Sequence, residues 1–177
     1  GFVTFDDRRV RQVRPRADGW IEGLSVRAMG ETVDAGQLLF TVYSPMLESA
    51  QQEYLDAIRI GNDDLVAASR DRLRALGLDS GTVLRLATAG RASGRVPFHA
   101  PVAGVVTELA IREGAMVTPD MMAMTITELG SLWVIAEVPE SQAGWVAPGT
   151  AAELRFPSLP GETLQGRVQH VYPELNM

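Results

Sequence analysis

One half-motif occurs twice in this 177-residue chain. The first copy reads Gly19-Trp20-Ile21-Glu22-Gly23-Leu24-Ser25-Val26-Arg27, then Gly30-Glu31-Thr32-Val33-Asp34-Ala35-Gly36-Gln37-Leu38-Leu39. The second, 84 to 85 positions on, reads Gly104-Val105-Val106-Thr107-Glu108-Leu109-Ala110-Ile111-Arg112, then Gly114-Ala115-Met116-Val117-Thr118-Pro119-Asp120-Met121-Met122. The two align with one extra residue, Met29, in the first. Each half alternates apolar and polar residues around glycine turns, which predicts short strands unable to bury their apolar face alone. The halves must therefore pack on each other. The roughly fifty residues between them must leave and re-enter that sandwich at one place. Such an architecture suits reaching towards something and is poorly suited to housing a reaction.

The halves are similar to those of lipoyl and biotinyl carrier domains, which attach their cofactor to a lysine at a hairpin tip. Here the insert replaces that tip, and all sixteen basic residues are arginine. A guanidinium stays protonated and is a poor nucleophile, so no lipoyl or biotin cofactor is expected. A net charge of −6 argues against a nucleic-acid partner. Arg8, Arg9, Arg11, Arg14 and Arg16 cluster on an extended segment and read as a strand edge kept soluble by charge. No apolar run approaches the roughly 20 residues that span a bilayer. The lack of cysteine removes disulfides and thiolate chemistry from consideration.

Within the insert, Ser44-Pro45 is a helix start, with Ser44 as the cap and proline at the first helical position. Leu47, Ala50, Gln51, Tyr54 and Ile58 form one stripe, and Gly61 stops the helix. Asn62 or Asp63 caps a second helix burying Leu65, Ala68, Leu73 and Leu76. Asp79 or Ser80 caps a third carrying Val83, Leu84, Leu86 and Ala87, ending near Gly90. Three such helices predict a self-sufficient small bundle. Further strands are expected over 132–138, 151–156 and 164–172, around a turn or short helix through Trp145. The expected fold class is mixed α and β, multi-domain: a lipoyl-like β-sandwich split by a short helical bundle, plus a partial antiparallel β-barrel. The expected division is 1–16 with 126–177 for the barrel, 17–44 with 96–125 for the sandwich (a barrel-sandwich hybrid), and 45–95 for the bundle.

Four stretches stand in a telling order. They are Gly19-Trp20-Ile21-Glu22, Tyr43-Ser44-Pro45 with Ala50-Gln51-Gln52-Glu53-Tyr54-Leu55, Pro101-Val102-Ala103-Gly104-Val105-Val106, and Val138-Pro139-Glu140-Ser141. This order resembles periplasmic adaptor proteins, the membrane fusion proteins of tripartite efflux pumps. The Ser-Pro and Ala-Gln-Gln-Glu-Tyr-Leu stretch is most similar to the heavy-metal, CusB-like branch. The resemblance implies a non-enzymatic adaptor in the Gram-negative periplasm, associated with the inner membrane. It would link a proton-driven resistance-nodulation-division (RND) pump, exporting copper or silver in the branch's typical members, to an outer-membrane channel. It also implies a homo-oligomeric ring of six. The helix-connecting loops Gly61-Asn62-Asp63-Asp64 and Gly77-Leu78-Asp79-Ser80 are then the candidate partner contacts. The family's membrane-proximal domain and methionine-bearing N-terminal segment have no counterpart in these residues.

Met116, Met121, Met122 and Met124 are candidate soft-metal ligands. Met122 and Met124 align with Leu38 and Phe40, however, so methionine as core filler is the better expectation. His99 and His170 lack ligand partners at characteristic spacing. The pairs Asp6/Asp7 and Asp63/Asp64 read as caps and solvated charges. Gly36 and its counterpart Asp120 are both expected at positive φ. Two alternatives remain: an adaptor of a drug or type I/ABC exporter, which longer helices would favour, and a periplasmic metal-delivery protein.

Overall fold

The repeat builds two four-stranded sheets, and each sheet draws two strands from each half. The computed structural model describes residues 1–172. In chain order the elements are β1 (Phe2–Phe5), β2 (Val10–Val13), β3 (Gly19–Leu24), β4 (Thr32–Val33), β5 (Leu38–Tyr43), α1 (Pro45–Ile60), α2 (Asp63–Ala75), α3 (Ser80–Ala89), β6 (Arg95–His99), β7 (Gly104–Leu109), β8 (Met116–Val117), β9 (Met124–Thr127), β10 (Leu132–Ile135), α4 (Glu140–Ala143), β11 (Ala151–Leu154) and β12 (Leu164–Arg167). One sheet runs β2-β9-β7-β4 and the other β6-β5-β3-β8. The short strands β4 and β8 thus cross into the sheet centred on the opposite half, so neither half can close its sheet alone.

The alignment of the halves holds at the level of single hydrogen bonds. Gly30 N–H donates to Val106 O at 2.8 Å, and Gly114 N–H donates to Ile21 O at 2.7 Å. Val106 N–H reaches Glu31 O at 2.9 Å, and Ile21 N–H reaches Ala115 O at 2.9 Å. The β3–β5 ladder shifts register between Ile21 and Gly23, and the β7–β9 ladder shifts between Val106 and Glu108. The bulge recurs at the same point of each half, as expected of a designed feature that bends the strand.

One turn expectation fails in half. Gly36 has φ 80°, whereas among the described residues none other than glycine has positive φ, Asp120 included. Both turns close on an i to i+3 bond, Gln37 N–H to Asp34 O and Met121 N–H to Thr118 O. Glycine enters the left-handed region at little cost, while Asp120 with its Cβ keeps its turn on the negative-φ side.

The sandwich core gathers Ile21, Val26, Val33, Leu39, Phe40, Val42, Val106, Ile111, Val117, Met124 and Ile126. Phe40 stacks on Phe98 with ring centroids 4.8 Å apart. The aligned pair Leu38 and Met122, expected inside, is not buried; the β5 ladder shifts between Leu38 and Phe40 and turns Leu38 outward. The helical segment shares its core with the sandwich. Its core of Leu47, Ala50, Tyr54, Leu55, Leu73, Leu78, Val83 and Leu86 closes on Ala17 and Val96, with Phe98 packed against it. All three expected apolar stripes also shift. Ile58, Leu65, Ala68 and Leu84 are exposed, and Leu73 is the buried residue of α2.

By its contacts the chain divides into residues 4–133 and a second unit of 1–3 with 134 onward. β2, expected with the barrel, ladders with β9 in the sandwich, Val10 opposite Thr127 to Val13 opposite Met124. In the second unit β11 pairs antiparallel with β12, from Ala151 opposite Arg167 to Leu154 opposite Leu164. Among the described residues its strands do not close a barrel and none of its side chains is fully buried.

Candidate functional site

The helical segment is an arm fixed to the sandwich by a polar clasp. Ser44 is fully buried where β5 becomes α1; its Oγ accepts the Leu47 N–H at 3.4 Å and its own N–H donates to Gly94 O at 2.9 Å. That second bond ties the exit of the arm to its return. Gln51, two turns further along α1 and 3% exposed, places Oε1 to accept the N–H groups of Ser93 at 2.9 Å and Gly94 at 3.2 Å. Gly94 is required: its φ is 63°, and a Cβ there would lie 2.8 Å from the Tyr43 ring. Tyr43 OH donates to Glu48 Oε2 at 3.1 Å, and Arg95 Nε donates to Glu22 Oε2 at 2.5 Å across the base. The Glu48 carboxylate, by accepting that hydrogen, holds the Tyr43 phenol above its ordinary pKa.

The Ser44–Gly94 backbone bond has a mate on the other half. Glu128 N–H donates to Arg9 O at 3.2 Å, where the chain enters β2 and leaves β9. Beside it lies Asp6, expected as a cap or solvated charge; its carboxylate does cap the turn Asp7–Arg9, accepting the Arg8 N–H at 3.1 Å, but it is only 1% exposed. Its carboxylate accepts from Arg8 Nε at 2.9 Å, Arg8 Nη2 at 2.8 Å and Ser131 Oγ at 2.9 Å, while the Arg8 guanidinium sits over the Trp133 ring. Hydrogen bonds from Arg8 hold the Asp6 carboxyl well below the usual carboxylate range. An Asp-x-Arg spacing was the signal available in the sequence, and it is too common to single out.

The two helix-connecting loops differ. Gly61 closes α1 at φ 75°, donating to Ala57 O and Ile58 O at 3.1 Å, and Asn62 Oδ1 caps α2 through Leu65 N–H at 3.1 Å. Gly61, Asn62, Asp63 and Asp64 are all exposed, flanked by exposed Ile60 and Leu65. The other loop turns back on the core. Gly77 N–H reaches Arg74 O and Leu78 N–H reaches Leu73 O, a Schellman ending whose Leu78 is buried against the arm's core. A Cβ on Gly77 would lie 3.3 Å from the Arg16 side chain, so this loop sits beside the sandwich. Asp79 Oδ1 caps α3 through Thr82 N–H, and Thr82 hydrogen bonds hold its carboxyl below the ordinary value; Ser80 is exposed. Gly61–Asp64 is therefore the distal tip.

The methionines are spread over different surroundings. Met124 is fully buried in β9, and Met116 is exposed on β8 opposite Trp20. Met121 and Met122 are half-buried, and Met122 Sδ accepts from Thr125 Oγ1 at 3.1 Å. His99 stands opposite Leu38 at the exposed edge of β6, and His170 lies near the Tyr172 ring. Among the described residues no group of three or more His, Asp or Glu is arranged to hold a metal ion. No helix there is long and apolar enough to cross a membrane.

Residues 10–127, the sandwich with its inserted arm, match the family described as CusB, barrel-sandwich hybrid domain. The chain belongs to this family. Residues 131–177 match the CusB-like, beta-barrel domain. Among curated proteins this CusB-like chain is 28% identical over 172 residues to the cation efflux system protein CusB of Escherichia coli K12, covering 97% of this chain and 42% of that one. It is 25% identical over 175 residues to the membrane fusion protein SilB of Salmonella typhimurium, covering 98% and 41%. It thus spans about two fifths of the length of these relatives. The solved structure of ZneB from Cupriavidus metallidurans superposes with a TM-score of 0.59 at 22% identity, over 95% of this chain and 80% of that one. That likeness extends the agreement in fold.

Proposed function

We propose that this chain is the adaptor of a heavy-metal efflux system, joining an inner-membrane RND transporter to an outer-membrane channel across the Gram-negative periplasm. One observation carries the proposal: both CusB-type domains follow in order along the chain, and its similar curated relatives include a cation efflux protein. In this role the chain performs no reaction and carries no lipoyl or biotin, having no lysine to bear one. It acts by position, as a homo-oligomer assembled around the transporter. The arm is short, since α1 at 16 residues is about 24 Å long at about 1.5 Å per residue. The exposed Gly61–Asp64 tip is the end offered to the channel, and the Gly77–Ser80 turn is a support beside the sandwich. Met124 fills the sandwich core, and in this role no metal is assigned to Met116, Met121, Met122 or Met124.

The test is a deletion of the gene, with growth challenged by single cations (copper, silver, zinc, cobalt) and by a drug panel. Sensitivity to one or more cations, relieved by the intact gene, is the expected result. Sensitivity to drugs alone would replace the heavy-metal assignment with a drug-exporter adaptor.

A further inference from the structure

One row of side chains crosses the outward face of the β6-β5-β3-β8 sheet. Met116 on β8 stands opposite Trp20 on β3, Trp20 opposite Tyr43 on β5, and Tyr43 opposite Arg95 on β6. Residues directly opposite on neighbouring strands are within side-chain reach, so the four make one strip. Its centre is apolar and open to solvent, with Trp20 44% and Met116 53% exposed. Carboxylates surround that centre. Asp18 and Glu22 flank Trp20 along the chain, both exposed where Gly19 and Ile21 are buried. Glu48, on the first turn of α1, accepts the Tyr43 OH. Arg95 compensates part of this charge, with Nε and Nη2 both on Glu22 at 2.5 and 3.3 Å. The balance shows at Tyr43. Glu48 raises its phenol above the ordinary value, first by the hydrogen bond and then by charge; burial and Glu22 add to this, and Arg95 opposes it without reversing it.

An exposed indole among carboxylates attracts a cation twice, through the ring quadrupole and through the charges. Arginine answers both, because its planar guanidinium stacks on an aromatic face and forks onto a carboxylate. Arg95 already does the second on Glu22. The thioether of Met116 is a soft, adaptable neighbour for the stem of such a side chain. We infer that this face, Trp20 with Asp18, Glu22 and Glu48, receives an arginine-bearing segment of a second protein. The carboxylates set the choice of partner more than its affinity. This surface is separate from the Gly61–Asp64 tip, and it stands whichever cargo the efflux system exports.

The chain has three tryptophans, Trp20, Trp133 and Trp145, so their indole N–H signals in a nitrogen–proton correlation spectrum report site by site. The full chain is titrated with a hexapeptide of alternating arginine and glycine. The Trp20 signal should move saturably, while that of Trp145, 79% exposed, stays in place. Citrulline in place of arginine keeps the shape and removes the charge, and should weaken binding about tenfold. Asp18→Asn with Glu22→Gln should weaken it about fivefold in a chain that keeps its circular dichroism. Glu153→Gln with Glu162→Gln, the same loss of charge elsewhere, should leave it unchanged. A Trp20 signal that does not move would overturn the inference, as would citrulline binding equally well. An equal response at Trp145, or an equal loss in the Glu153 and Glu162 variant, would reduce the effect to net charge and overturn it too. A Trp20 signal that shifts with protein concentration before any peptide is added would show a second copy of this chain on the face, and would replace the second protein.

Discussion

Gln51 shows how one polar side chain can decide where a whole segment points. It occupies the apolar stripe of α1, yet its Oε1 accepts two backbone N–H groups where the chain returns to β6. Gln51→Leu keeps the volume and removes the acceptor, so two N–H groups lose their partner inside the clasp. Leaving buried donors unpaired costs about 1–3 kcal/mol, a loss that urea unfolding will register. An unchanged midpoint would mean that water serves these groups as well. Asp6 sets a pH dependence with a definite sign. Its folded-state pKa lies below the ordinary 3.8, so the folded chain binds that proton less readily than the unfolded chain. Its stabilisation is complete above about pH 5 and is lost as pH falls below the ordinary carboxylate value. The stability gap between wild type and Asp6→Asn should stay level from pH 7 to about 5 and narrow below about pH 4. A gap that persists undiminished at about pH 3 would contradict this account. Neither role was legible in the sequence. Periodicity places Gln51 on the right face without revealing its partners, and Asp6 is buried by contacts with Ser131 and Arg8 that only the fold creates.

The elements themselves were largely legible because local chemistry marks their ends. Ser44-Pro45, Gly61-Asn62 and Asp79 stand where the structure starts and stops its helices, each cap satisfying N–H groups that a helix end leaves unpaired. Which residues each helix buries was harder to read. α2 is polar enough that Leu65 and Val66 compete for the inner face, and packing against α1 decides for Val66. The arm's dependence on Ala17, Val96 and Phe98 has a direct consequence. A peptide of residues 44–94 lacks Ala17, Val96 and Phe98 and should show weak helicity and no cooperative thermal transition; a sharp transition would restore the self-sufficient bundle. The two turns make a paired test. Gly36→Ala should lose about 1 kcal/mol, since its φ is positive and there is open space around it. Asp120→Gly should give no gain, because that turn keeps φ negative.

At the scale of the molecule, the repeat was the part of the sequence that carried furthest. Two incomplete halves forced a sandwich, and the exchange of β4 and β8 between sheets shows how each half completes the other. The division at the N-terminus was less legible. Residues 1–16 were expected with the barrel, whereas Val13 enters the sandwich core beside Met124. The central claim is that the arm reaches a partner and that the sandwich holds it in place. Because Ser44 N–H and Gly94 O are already bonded at 2.9 Å, residues 45–93 can be replaced by a two-residue turn without opening the sandwich. The decisive measurement is cation tolerance of cells whose full-length protein carries that replacement, alongside its level and protease resistance. The account predicts a stable, abundant protein and cation sensitivity equal to that of the gene deletion. Full tolerance with the arm removed would contradict it.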